Sequence, residues 1–321
     1  MQWSGRIDGY EEDVLRIHQV IKVMNLEELE KEKLFSKKVC FVAFGSDEGV
    51  IRNLGRAGAN NGWKHIKQML AGFPIFDEEI GFYDLEEPIL VTHKELEKAQ
   101  KKLSETVTRL KRAGYFVIVI GGGHEVAYGT YHGILDCAKE HFLKPKIGII
   151  NFDAHFDMRD YSGGPTSGTM FLQIADECRE SQRNFDYNVF GIQKFGNTKR
   201  LFHTAIDHKV NYWLAEDMDR VNSETMMDII SRNDYTHLTI CTDVFHISSA
   251  PGVSAPQPFG IKPENIIGFL KTVAKHSEDL TLDIAEMNPN FDFDERTSRL
   301  LAYIVYEIIL SHFYRSRELG F

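Results

Sequence analysis

No apolar run in this sequence of 321 residues reaches the roughly 18 that a membrane-spanning helix requires. Cysteine is scarce. The four thiols, Cys40, Cys137, Cys178 and Cys241, lie far apart without any CxxC pair. That pattern excludes a disulfide framework and predicts reduced cysteines in a cytoplasmic protein. Positive charge is also short: 37 Lys and Arg stand against 47 Asp and Glu, a formal charge of −10. Such a balance argues against nucleic acid or anionic membrane as the main partner. An anionic small molecule would need arginines placed locally, against the overall field. The N-terminal stretch, residues 1–8, carries charges and no apolar segment, so no secretory leader is expected. Repeats, low-complexity tracts and linkers are absent as well, which favours one domain over residues 1–321.

What is present is enough apolar material for a large core, with 43% hydrophobic and 12% aromatic residues. Short apolar runs bounded by turn residues alternate with longer, helix-periodic segments. Strands are predicted at 39–45, 115–120, 147–152, 188–192, 210–213, 237–241 and 280–284. Helices are predicted at 62–70, 96–113, 127–140 and 297–314, with others between the later strands. Continuous apolar strands alternating with helices indicate an α/β fold, a mostly parallel sheet covered on both faces. In such folds, sites form beyond the carboxyl ends of strands. Every polar cluster below follows a predicted strand.

The richest of these is Asn151-Phe-Asp-Ala-His-Phe-Asp157. Asp153, His155 and Asp157 stand at i, i+2 and i+4, so an extended chain sends them to one face. Two carboxylates and an imidazole crowded at a strand end repel and desolvate one another unless a cation separates them. Fully extended, residues 153 and 157 would be about 13 Å apart. Either the chain curls as it leaves the strand, or two ions are held. The alternative is a satisfied surface cluster without metal.

Gly121-Gly122-Gly123-His124-Glu125 follows the 115–120 strand. The glycines allow a tight turn that would project His124 into the strand-end cleft, although a histidine after glycines can also be purely structural. As a phosphate loop the segment fails, lacking both Gly-Lys-Ser/Thr and the spacing of a dinucleotide fingerprint. Cys241 and Asp243 share a face after the 237–241 strand, backed by the stiff Pro/Gly loop 249–256. Glu286 lies just beyond the 280–284 strand, before the turn imposed by Pro289. Taken alone, Glu286 is better read as a solvated loop carboxylate.

Together, His124 after three glycines, Asp-Ala-His-x-Asp at 153–157, Asp243 after a strand with Ala-Pro-Gly downstream, and Glu-x-Asn-Pro at 286–289 resemble the arginase/agmatinase (ureohydrolase) family. Further segments carry the likeness over nearly the whole chain: 3–8, 53–59, 157–159, 167–171, 250–256 and 284–292. These point to the family members that hydrolyse N-formimidoyl-L-glutamate to L-glutamate and formamide, a step of histidine degradation. The resemblance implies a three-layer α/β/α sandwich of arginase type holding two Mn²⁺. By position, the implied metal ligands are His124, Asp153, His155, Asp157, Asp243 and the residue at 241. Carboxylates with imidazole suit Mn²⁺, and a metal pair can supply hydroxide at neutral pH. The same resemblance makes Asp157 the proton shuttle to the departing amine, and Glu286 the partner of the formimidoyl nitrogens. The substrate's carboxylates then fall to Arg159, with Arg56 and Asn197 as further candidates.

Three departures from the family pattern stand out. Cys241 occupies the place of an aspartate that bridges both metals, and a thiolate is softer than Mn²⁺ prefers. The expectation is that the site forms with Cys241 in or beside the metals' coordination and with one ion held more weakly. His246-Ile247 replaces Asp-Pro, read as a structural change. Phe171 replaces a proton-shuttling histidine, which argues against arginase activity. Competing readings are an agmatinase or guanidino-acid hydrolase, a metal-binding but catalytically silent relative, and a dinucleotide-binding domain. The expected partner is a small dicarboxylate amidine, with neither nucleic acid nor membrane, and with self-association left open.

Overall fold

The computed structural model describes residues 3–314; Met1 and Gln2, the first two residues of the N-terminal stretch read above, lie outside that range. Ten strands build one sheet: β1 (Lys22–Met24), β2 (Lys37–Gly45), β3 (Ile80–Leu85), β4 (Ile89–Leu90), β5 (Phe116–Ile120), β6 (Ile147–Phe152), β7 (Asp186–Ile192), β8 (Asn211–Leu214), β9 (Tyr235–Cys241) and β10 (Leu280–Ala285). Their order is β1-β3-β2-β5-β10-β9-β6-β7-β8, with β4 paired to the end of β2. All strand pairs are parallel.

Burial on both faces explains the unbroken apolar strands. In β5, Phe116, Ile118 and Ile120 face the helices Gly62–Ala71, Ile267–His276 and Arg296–Phe313, whose Ile66, Leu270 and Ile304 share their core. Val117 and Val119 point the other way, onto Leu103 and Val107 of the helix Leu96–Arg112. In β6, Ile147 and Ile149 meet the helices Val126–Ala138 and Met170–Glu180 on that second face. The result is an α/β/α sandwich. Two of these helices touch almost backbone to backbone: a Cβ on Gly133 would lie 2.5 Å from Val107 Cβ.

The strands and helices expected from sequence are present with ends shifted by one or two residues, and 147–152 matches β6 without a shift. The sequence reading did not include β1, β3 and β4. β3 contains Asp84, a charge that disguises a buried strand. It is accommodated by the Lys67 ammonium and by Trp3 Nε1–H, which donates to Asp84 Oδ2 at 2.8 Å. No helix among the described residues is long and apolar enough to cross a membrane. The four cysteines are free and buried.

β5 and β6 follow one another in the chain but are separated in the sheet by β10 and β9. The loops leaving the carboxyl ends of these four neighbours open the crevice expected at such a gap.

Candidate metal centre

The loop after β5 turns at Gly121 and Gly122, whose φ of +98° and +84° favour glycine. Gly121 N–H donates to Ile284 O at 2.8 Å, and Gly123 N–H to Ser46 O at 3.0 Å. This turn places His124 in the floor of the crevice, almost wholly buried. After β6 the chain curls at once. Asp157 takes φ +49°, and its Oδ2 reaches 2.9 Å from His124 Nδ1, while Asp153 Oδ2 lies at 2.8 Å from the same nitrogen. The extended span of the motif is therefore not realised.

Beyond β9 a short turn, Thr242–Val244, carries Asp243 round to His155. Asp243 Oδ2 is 3.2 Å and Asp153 Oδ1 3.6 Å from His155 Nδ1. Two groups of potential ligands result: His124, Asp153 and Cys241, and Asp153, His155 and Asp243. Asp153 belongs to both. Its position is fixed by the His155 backbone N–H at 2.8 Å and the Asn151 amide at 3.2 Å.

The polar atoms here are poorly satisfied by the protein. His124 Nδ1 and Asp243 Oδ1 are buried without a hydrogen-bond partner. Burial opposes charge on His124, yet Asp153 and Asp157 outweigh it and raise its pKa well above the ordinary value. Burial, reinforced by Asp153, pushes Asp157 up to about 6. Cys241 is raised well above an ordinary thiol by burial and then by Asp153 and Asp243, which leaves it protonated while no cation offsets the carboxylates. Carboxylates competing for imidazole protons, with buried acceptors left over, fit a site built for divalent cations.

His124, His155, Asp157, Cys241 and Asp243 line a cavity of about 300 Å³ that also receives Glu286, Arg159, Arg56, Asn53, Ser167 and Ser254, with Asp153 buried behind them. Glu286 has φ +66°, and its Oε1 accepts His124 N–H at 3.1 Å. Burial, then Glu125 and Asp243, raise its pKa well above that of an ordinary carboxyl. The Arg159 side chain is exposed, and its backbone N–H is held by Gly168 O at 2.8 Å. Arg56 reaches the cavity but is already engaged. Its guanidinium donates to Ser254 O at 2.8 Å and Val253 O at 2.5 Å, and stacks 3.7 Å from the centre of the Phe291 ring.

The structure does not bring Asn197 to the cavity wall. Its Nδ2 donates to Ala154 O and Gln193 O, and its Oδ1 accepts Phe156 N–H at 3.1 Å, so it braces the turn that carries His155. Phe171 is buried edge-to-face against the His124 ring, 5.6 Å between centres. His246 lies outside this cavity.

Sequence reasoning missed Asn53, Ser167 and Ser254 as wall residues, because loops distant in the chain bring them together. It also missed a buried chain behind His124. His124 Nε2 is 2.9 Å from Thr239 Oγ1, Thr239 donates to Asp283 Oδ1, and Asp283 Oδ2 is 2.6 Å from His237 Nε2. A signal existed: His237, Thr239 and Cys241 alternate along β9, and polar residues at every second position mark one face.

Known proteins resemble the chain in sequence and in fold. Residues 37–311 match the model of the arginase family. A formimidoylglutamase of Fusobacterium nucleatum subsp. nucleatum is 58% identical over 313 residues, covering 98% of each chain. The crystal structure of the Bacillus subtilis formimidoylglutamase superposes with a TM-score of 0.80 at 22% identity, covering 95% of this chain and 94% of that one. A Trypanosoma cruzi formiminoglutamase solved with Mn²⁺ gives a TM-score of 0.77 at 25% identity, covering 92% of this chain and 100% of that one.

Proposed function

The chain belongs to the arginase family, and on that premise we propose that it hydrolyses N-formimidoyl-L-glutamate to L-glutamate and formamide. The observation that carries this reading is one cavity holding both the carboxylate–imidazole cluster and an exposed arginine, Arg159. Two Mn²⁺ are the ions the donor set suits; His124, Asp153, Asp157 and Cys241 would hold one, and Asp153, His155 and Asp243 the other. When bound, the ions acidify a water and so supply the nucleophile at neutral pH.

The protein's own groups do the rest. Glu286 faces the formimidoyl nitrogens, since a carboxylate matches a pair of N–H donors. Arg159 binds a substrate carboxylate, which selects a dicarboxylate over agmatine, a molecule with none. Water adds to the formimidoyl carbon, the bond from that carbon to the glutamate nitrogen breaks, and the amine leaves with a proton. Asp157 passes that proton on, a role supported by its position beside His124 on the cavity wall. Arg56 contributes by holding the 253–254 rim, and Asn197 by bracing the 154–156 turn.

The thiol at 241 makes the His124 side the softer of the two sites and the weaker for Mn²⁺. The continuous sheet supports a single catalytic domain over 1–321, and the four unpaired thiols support a cytoplasmic setting.

The test is formamide release from N-formimidoyl-L-glutamate with added Mn²⁺, run beside arginine and agmatine. Turnover of the first alone supports the proposal. Turnover of agmatine alone reassigns the substrate, and no turnover at any metal or pH leaves a silent metal-binding protein.

A further inference from the structure

The chain His124–Thr239–Asp283–His237 lies wholly beneath the sheet's carboxyl end, and three of its four members have no exposed surface at all. It contains few protons to distribute. Thr239 has one hydroxyl hydrogen and two neighbours, His124 Nε2 at 2.9 Å and the Asp283 carboxylate at hydrogen-bond distance. An ionised carboxylate can only accept, so that hydrogen belongs to Asp283. Thr239 Oγ1 then faces His124 with lone pairs alone, and His124 Nε2 must carry a hydrogen to meet it. On the far side, Asp283 Oδ2 accepts from His237 Nε2 at 2.6 Å, which fixes the carboxylate in place. Burial works against ionising Asp283, but His237 and the Thr239 hydroxyl hold its pKa below the usual value.

One nitrogen of a histidine decides the other. With Nε2 protonated, a neutral His124 has its lone pair on Nδ1. That atom sits 2.8 Å and 2.9 Å from two carboxylate oxygens, buried and without hydrogen-bond geometry to either. Phe171 packs edge-on against the ring, 5.6 Å between centres, and limits the room for it to turn. We propose that Thr239 and Asp283 are positioning residues that lock His124 into the tautomer whose Nδ1 lone pair is directed at an ion. The arrangement compensates, on the Cys241 side, for a donor less suited to Mn²⁺.

The inference rests on the two-metal reading above, and one experiment separates the two. Full-length wild type, Thr239→Val and Thr239→Ser are stripped of metal and titrated with Mn²⁺ alone, free Mn²⁺ being followed by electron paramagnetic resonance. Thermal melts of the metal-free proteins run alongside. Val keeps the shape and removes the hydroxyl; Ser restores it. The expected result is one of two ions weakened about 10–100-fold in the Val variant, the other changed by less than about twofold, and both recovered in the Ser variant. A purely structural hydroxyl would lower the metal-free melting temperature and leave Mn²⁺ affinity unchanged; that outcome overturns the proposal. Should the Val variant not fold, Thr239→Ala takes its place, and wild-type affinity there overturns it equally. Wild type that binds fewer than two Mn²⁺ refutes the two-metal reading instead.

Discussion

Asp153 and Asp157, four residues apart, turn carboxylate oxygens to a single atom, His124 Nδ1, at 2.8 and 2.9 Å. The chain curls at a strand end so that three ionisable groups meet where none has a comfortable proton arrangement. Asp153 alone reaches both clusters.

Shared membership predicts unequal effects of two substitutions. Asp153→Asn should abolish retention of both ions, whereas Asp243→Asn should lose chiefly the His155-side ion. Metal content per chain after gel filtration, measured by mass spectrometry, distinguishes them. The loss at Asp153 should exceed the roughly 10–100-fold typical of an outer partner. Equal stoichiometry in the two variants would contradict the shared role.

Cys241→Asp should tighten Mn²⁺ binding at the His124 side by about tenfold, because a hard carboxylate replaces a soft thiol that burial keeps protonated. It should also lessen any preference for Zn²⁺ over Mn²⁺. Competition titrations check both. Looser Mn²⁺ binding in the Asp variant would mean that the buried position cannot tolerate another negative charge.

Arg159→Met should raise KM for N-formimidoyl-L-glutamate about 10–100-fold, the loss of one charge-assisted contact worth about 1.5–3 kcal/mol. Turnover at saturation should change far less. Steady-state kinetics over a wide substrate range supply the split. A fall in kcat with KM unchanged would place Arg159 in the chemistry, not in recognition.

Away from the site, Asp186 supplies a pH-dependent element of stability. Arg232 grips it at 2.8 and 2.9 Å, with Asn233 Nδ2 at 2.6 Å. Burial opposes ionisation, and these donors overcome it, holding the folded pKa below the ordinary value. The group thus stabilises above the unfolded carboxylate pKa near 3.9, and that contribution fades as pH falls toward the folded one. Arg232→Met should cost about 2 kcal/mol at pH 7, less than a fully buried pair, since Arg232 keeps contact with water. The difference in melting temperature between variant and wild type should narrow from pH 7 to pH 3. A constant difference would show that the ion pair is not the cause.

Local chemistry was readable from the chain; distant closure was not. β6 and the Asp-Ala-His-x-Asp segment announce themselves, because period-2 spacing and an apolar run are properties of adjacent residues. β3 did not, since Asp84 breaks the pattern and its partners, Lys67 and Trp3, lie 17 and 81 residues away. Asn197 illustrates a different limit. Its amide made it a candidate donor to the substrate's carboxylates, yet that amide is taken up by the backbone around His155. Residue type gives a donor's capacity, and only the folded neighbourhood says what already fills it.

Asp157 and Glu286 occupy left-handed backbone, at φ +49° and +66°. Glycine would sit there with less strain, and a side chain at such a position is disfavoured by on the order of 1 kcal/mol. On the proposed mechanism, selection for thermal endurance and selection for chemistry therefore pull in opposite directions at these two positions. A library screened on heat resistance alone would drift toward glycine at both and return a sturdier, inert protein. On that mechanism, those carboxylates persist in an evolving lineage only while the reaction itself is under selection.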